Sequence, residues 1–294
     1  MGNKMYESCK LCPRECGVDR SRGEIGYCLS VADMRVAKTM LHMWEEPPIS
    51  GTRGSGAIFF CGCSLGCVFC QNKKISRSID AGEIVSIERL ADIMLSLEDE
   101  GSHNINLVTP MHYAPSVALA LERVKHKLGI PIVCNTGGYD KVDTLKLFSG
   151  LVDIYLPDFK YCSSELSVKY SAAPDYFEVT SAAISEMYRQ AGAYTEQQGM
   201  AERGVIVRHL VLPGARADSQ RALDALAKLV PIKDIRLSLM GQYTPDFYCG
   251  EEKNLKRKIT TFEYNSVLDH AISLGFEGFF QERSSADKKY TPDF

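Results

Sequence analysis

From about residue 53 onward, short apolar runs alternate with stretches whose apolar residues recur every three to four positions. The runs at 57–60, 105–108, 130–133, 152–156, 204–212 and 235–240 are bounded by turn residues, as buried strands are. Between them, Ile87, Leu90, Ala91, Met94 and Leu97 share a helical face, opened by Ser86 as N-cap and closed at Gly101. Val117, Leu121, Val124 and Leu128 follow Pro115, which suits a first helical turn, and stop at Gly129. Asp218 is placed to cap a helix carrying Leu223, Leu226 and Leu229. Thr260 and Glu263 form a capping-box pattern ahead of Val267, Ala271 and Leu274. Residues 176–192 read as a less regular helix. Residues 1–52 are loop-rich, with Cys, Gly, Pro and Arg and little periodicity.

Strands alternating with helices predict an α/β fold with a parallel sheet and right-handed crossovers. Periodicity does not separate an open doubly wound sheet from a curved partial barrel. The pattern divides the chain into a Cys-rich segment at 1–52, a main domain at 53–280 and a tail at 281–294. Apolar content of 45% and charged content of 24% are ordinary for a globular protein. A net charge of −3, from 34 basic and 37 acidic residues, gives no electrostatic case for nucleic acid or an anionic membrane. No apolar run reaches the length of a membrane span. The start lacks a signal-peptide core, and Tyr6 breaks a myristoylation pattern. A cytoplasmic location is the expectation.

The 11 cysteines change the picture. Disulfides are disfavoured in the cytoplasm, so metal binding or redox chemistry explains them better. Most fall within the first 70 residues. Cys63-Ser-Leu-Gly-Cys67-Val-Phe-Cys70 follows an apolar run that ends in Cys61, itself read as a packed strand residue. A cubane iron–sulfur cluster takes one thiolate per iron, so three thiolates leave one iron open. An open coordination position marks a catalytic rather than a structural site. The rival readings are zinc with a fourth ligand elsewhere, or inert buried thiols. Upstream, Cys9-x2-Cys12-x3-Cys16-x11-Cys28 offers four thiolates, enough to close a zinc site or a second cluster. Arg14, Arg20 and Arg22 stand near them, either to offset thiolate charge or as surface residues. Cys134, Cys162 and Cys249 are scattered and read as structural.

In β/α barrels the chemistry collects at the C-terminal ends of the strands. Those ends carry Cys63, Cys67 and Cys70; Thr109 with His112; Asn135, Thr136, Gly137 and Gly138; Asp158 and Lys160; Arg208 and His209; and Gln242. Lys160 or Arg208 suits a ligand carboxylate, and Asp158 suits a positive group. The two glycines would let backbone approach a ligand. His112 and His209 are individually weak candidates.

The three-cysteine spacing resembles that of the radical S-adenosylmethionine (SAM) superfamily. That resemblance implies a partial (β/α)6 TIM-like barrel, a 4Fe–4S cluster on Cys63, Cys67 and Cys70, and SAM bound at the open iron. The runs Glu45-Glu-Pro-Pro-Ile-Ser-Gly51, Asn104-Ile-Asn106, His112-Tyr-Ala-Pro115, Val207-Arg-His-Leu-Val-Leu-Pro-Gly214 and Gln242-Tyr-Thr-Pro245 look like the pyruvate formate-lyase activating enzyme-like branch. So does Leu11-Cys-Pro-Arg14. More specifically they resemble its uncharacterised iron–sulfur proteins. The branch implies hydrogen abstraction from a glycine of a partner enzyme and a reduced flavodoxin or ferredoxin as electron donor; the rival readings are a radical SAM maturase or small-molecule enzyme and a non-catalytic iron–sulfur or zinc protein. By similarity, Asp158 and Lys160 match the Asp-x-Lys element near SAM. Asn135-Thr136 falls where the activases carry Asp-Thr, and Val108-Thr109-Pro110 stands in place of a Gly-Gly-Glu-like element. The implied SAM-site residues are therefore Asp158, Lys160, Arg208, Asn135, Thr136 and Thr109. Oxygen sensitivity follows from an open cluster.

Overall fold

The computed structural model of the chain describes residues 4–248, 250–281 and 292. Cys249 and nearly all of the tail lie outside the described residues. The strands are β1 (Arg35–His42), β2 (Ser55–Phe60), β3 (Glu83–Ile84), β4 (Ile105–Val108), β5 (Ile132–Thr136), β6 (Ile154–Pro157), β7 (Thr195–Gln197), β8 (Met200–Leu210), β9 (Arg236–Met240) and β10 (Gly278–Phe280). They form one sheet in the order β10-β9-β8-β6-β5-β4-β2-β1-β3, with β7 hairpinned onto β8. From β2 to β10 along that path every pairing is parallel. All six predicted strands are present. The periodicity reading missed two others that matter. β10 extends the parallel run by one strand. β1, inside the segment read as loop-rich, pairs antiparallel with β2 and so adds part of that segment to the sheet.

The side-chain alternation decides between the two candidate architectures. Outward residues such as Leu107, Cys134, Tyr155, Val207 and Leu237 share one core with the apolar faces of every long crossover helix. Inward residues Val133, Ile154, Leu156 and Ile206 form a separate cluster. A doubly wound sheet would carry helices on both faces. Here the helices pack on one, so the sheet curls into a partial barrel and its inner face makes an interior.

That interior is filled from the side. The short helix Pro47–Ser50 follows β1, and its fully buried Ile49 sits among the inward side chains of β5, β6 and β8. Asn104 Nδ2 donates to the Ile49 carbonyl at 2.7 Å, and Asn104 Oδ1 accepts from Ser55 Oγ at 2.6 Å. The plug carries the two residues before it, Glu45 and Glu46, into the barrel.

Helix boundaries follow local chemistry. Ser86 Oγ accepts from Arg89 N at the start of Ile87–Asp99, and Pro115 lies in the first turn of Ala114–Val124. The irregular stretch forms the helix Tyr176–Ala191. Asp218 is not an N-cap, because the helix Arg216–Leu229 begins before it. Its carboxylate instead accepts from the backbone N–H groups of Cys162 and Ser163 at 3.0 and 2.8 Å. At Thr260 both arms of the capping box form. Thr260→Ala removes an N-cap and one arm of the box, so it is expected to cost about 1 kcal/mol. In urea unfolding the midpoint should fall with the slope unchanged.

Candidate active site

The site begins where β2 ends. Gly62 has φ +89°, and a Cβ there would lie 2.2 Å from Ser30 Oγ and 2.7 Å from the Cys28 carbonyl. Only glycine lets the chain turn so closely against the N-terminal segment. The turn aims Cys63, Cys67 and Cys70 into a cavity of about 250 Å³ at the C-terminal mouth of the barrel. Cys61 points elsewhere and is buried, its Sγ close to where Gly82 would carry a Cβ. Leu65 and Phe69 anchor the loop in an aromatic cluster with Tyr139, Tyr161, Tyr170, Tyr176 and Tyr243.

The thiols have polar neighbours. Ser171 Oγ donates to Cys67 Sγ at 3.1 Å, Leu65 N donates to Cys63 Sγ at 3.4 Å, and Cys70 Sγ lies 3.4 Å from Ser76 Oγ. Burial pushes all three thiols up from their ordinary pKa, and Lys160 opposes the shift at each. A bound cation reverses that preference, since a coordinating thiol is deprotonated. Among the described residues no three His, Cys, Asp or Glu side chains converge on a single metal ion. A cubane asks for no such convergence, because each thiolate holds a different iron. With three thiols on the cavity and Cys61 turned away, the donor set fits a cluster with one open iron.

Opposite the thiols lies a bank of charge. Thr109, Asn135, Thr136, Asp158, Lys160 and Arg208 line the same cavity, so the residues singled out at the strand ends come together. Arg208 Nε donates to Asp158 Oδ1 at 2.9 Å, and Lys160 Nζ donates to Asp158 Oδ2. Arg208 also donates to Asn135 Oδ1 at 2.6 Å. Burial opposes ionisation of Asp158, but Arg208 and then Lys160 hold its pKa below the ordinary carboxylate value. Tyr176 Oη donates to the carbonyls of Asp158 and Gly137 and accepts from Lys160 N, fixing this strand end.

Glu45, which the pattern reading gave no role, completes the bank. Its Oε1 accepts from Asn106 at 3.0 Å and from Asn135 at 3.3 Å, and its Oε2 lies 3.5 Å from Arg208. Beside it, Glu46 Oε2 is buried with no hydrogen-bond partner. Burial raises the pKa of both glutamates. Asn106 was legible as the one polar residue of an otherwise apolar strand, but the segment that delivers Glu45 was not.

Two further strand ends differ from expectation. Gly138 does not serve a ligand: a Cβ there would lie 2.2 Å from the Asp158 carbonyl, so this glycine permits strand packing, while Gly137 lines the cavity. Thr109, where a Gly-Gly-Glu-like element would stand, adopts φ +59°. A β-branched residue rarely does so, and such strain collects at functional sites. The two histidines are structural. His112 Nε2 lies 2.7 Å from the Cys61 carbonyl, and burial, with Arg20 nearby, lowers its pKa to about 3. His209 Nδ1 lies 2.6 Å from the Phe159 carbonyl. The N-terminal cysteines do not line this cavity.

Residues 57–226 match the radical SAM superfamily, and the chain belongs to it. The chain is 28% identical over 280 residues to an uncharacterized protein of Methanocaldococcus jannaschii, covering 92% of this chain and 76% of that one. Among solved structures, a radical SAM methyltransferase from Sphaerobacter thermophilus superposes with a TM-score of 0.53 at 12% identity, over 76% of this chain and 65% of that one. Methylornithine synthase gives 0.47 at 18% identity, over 74% and 63%. The chain thus spans less than two thirds of either solved structure's length. At this identity the methyltransferase shows the shared fold only.

Two outcomes follow from the charges. Asp158→Asn leaves Lys160 buried without a carboxylate and Arg208 with Glu45 alone, and breaking a buried pair costs about 3–5 kcal/mol. Urea unfolding of the metal-free protein at pH 7 should register that loss. Because the folded pKa of Asp158 is lowered, its contribution is present above the unfolded value near about 3.9 and fades in acid. Asp140 behaves oppositely. It accepts from Thr136 Oγ1 behind the cavity wall, and burial raises its pKa to about 7. The folded state then holds a proton the unfolded state has lost, so stability falls as pH rises from about 4 to 7. Asp140→Asn should flatten that slope.

Proposed function

We propose that this radical SAM enzyme abstracts hydrogen from the Cα of a glycine in a partner protein. With cluster and SAM bound, the family chemistry is one-electron cleavage of SAM to methionine and a 5′-deoxyadenosyl radical. The observation that carries the reading is the placement of the Asp158–Lys160 pair across one cavity from Cys63, Cys67 and Cys70. That pair matches the Asp-x-Lys element of the glycyl-radical activases.

In this reading Lys160 takes the SAM carboxylate. Arg208 is already committed to Asp158, Asn135 and Glu45, whereas Lys160 has one carboxylate partner and faces the thiols. Asp158 orients Lys160. Asn135, Thr136 and the strained Thr109 present polar groups to the rest of the ligand. Trp44, 59% exposed, stands at the cavity rim, where a peptide loop would cross. A reduced flavodoxin or ferredoxin supplies the electron.

The test is SAM turnover by anaerobically reconstituted protein with dithionite, measured as 5′-deoxyadenosine. Production that is lost in Cys67→Ala is expected. The finer reading is checked with cell protein labelled with deuterium at glycine Cα. Deuterium in the 5′-deoxyadenosine supports a glycine donor; unlabelled product formed at an undiminished rate overturns it and points to a small-molecule substrate or another residue.

A further inference from the structure

Behind the radical site lies a second gathering of sulfur. Cys9, Cys12 and Cys28 are buried, Cys16 is exposed, and none is in a disulfide. The other three cysteines all act on the charge of Cys12. The backbone wraps them as a loop: Cys9 N donates to the Val18 carbonyl at 3.0 Å, Gly17 N to the Cys9 carbonyl at 2.9 Å, and Glu15 N to the Cys12 carbonyl at 3.1 Å. Tyr27 N–H donates to Cys16 Sγ at 3.3 Å, a donor that would stabilise a thiolate.

The second observation is a buried cation. Arg20 is only 1% exposed. Its guanidinium donates to the carbonyls of Ser30, His112 and Val31 and, at 3.6 Å, to Cys9 Sγ. The rings of Tyr6 and Tyr113 flank it. None of these described partners is a carboxylate. Carbonyls solvate a charge but do not neutralise it, and interiors do not hold charges without a counter-charge. Neutral thiols would leave Arg20 in that condition. Four thiolates around a metal centre carry net negative charge and supply what it lacks.

The third observation is position. Cys63 N donates to the Cys28 carbonyl at 3.2 Å, so one backbone hydrogen bond joins the two cysteine sets. Arg14 donates to the Ser64 and Leu65 carbonyls, and Tyr27 Oη donates to the latter at 3.3 Å. Zinc has no redox chemistry and would gain nothing from this contact, whereas an iron–sulfur cluster can pass an electron across it.

We propose that Cys9, Cys12, Cys16 and Cys28 hold a second iron–sulfur cluster that relays electrons to the one on Cys63, Cys67 and Cys70. The relay rests on the radical SAM reading; the cluster does not. A ferredoxin- or flavodoxin-type carrier is oxidised by one electron on the exposed Cys16 side, and that electron passes along the Cys28–Cys63 contact to the buried cluster.

Two measurements test this separately. The first is metal analysis and electron paramagnetic resonance of the anaerobically reconstituted Cys63→Ala/Cys67→Ala/Cys70→Ala protein. About four iron and four sulfide per chain, with a signal on reduction, are expected. One zinc, or no metal, overturns the second cluster. This result stands even if no SAM is cleaved. The second compares Cys16→Ser, a change at an exposed position, with wild type under two reductants. Loss of turnover by at least about tenfold with reduced flavodoxin, but not with dithionite, supports the relay. Equal rates with both reductants overturn it.

Discussion

The arrangement at the barrel mouth depends on one buried guanidinium. Arg208 stands on the inner face of β8, in contact with Asp158 from the neighbouring strand, with Asn135, and with Glu45 from the plug. Charge in a barrel interior is costly unless every group has a partner with good geometry. That requirement explains the asparagines. Asn106 and Asn135 occupy inward positions where most β/α barrels place branched apolar residues, and both donate to Glu45. The polar layer therefore behaves as a unit, and Asp158 cannot be treated as an isolated ligand.

The unit also fixes chain geometry. The plug must reach the same depth every time for Glu45 to meet Arg208, and Ile49, held through Asn104, sets that depth. On the other side, Tyr176 locks the backbone of Asp158 and Lys160 to that of Gly137. The aromatic cluster then carries the position of this strand end to Leu65 and Phe69 in the cysteine loop. Charge bank and thiols thus face each other across a fixed gap, with the outer helices serving mainly to hold the strands.

Much of this was legible in the sequence because it is local. Strand periodicity, the capping box at Thr260 and the Cys63–Cys70 spacing each depend on neighbours a few residues apart. The failures share the opposite property. β1 was unreadable because an antiparallel addition beside a parallel sheet is half-exposed and lacks a clean apolar run. β10 spans three residues, too short for any period. Asp218 looked like a cap because its role is to bind the backbone at Cys162 and Ser163, more than fifty positions away. Glu45 looked like a loop residue because nothing nearby announces that the chain turns into the barrel. One tertiary signal was visible and unused: Asn106 breaks an apolar run at an inward position.

The charges also bear on which ligand the cavity welcomes. Asp158, Glu45 and Glu46 are three carboxyl groups against the two cations Arg208 and Lys160, and burial drives both glutamates toward their neutral forms. An anionic guest would press the glutamates further toward those neutral forms. SAM brings a sulfonium and an ammonium with its one carboxylate, a net positive charge that lets a second carboxylate ionise where burial alone forbids it. The excess of carboxyl groups, costly to ionise without a cation beside them, therefore favours this cofactor. It also explains why a protein would keep so many acidic groups in a place where each is expensive: the same groups that weaken the fold tighten the ligand.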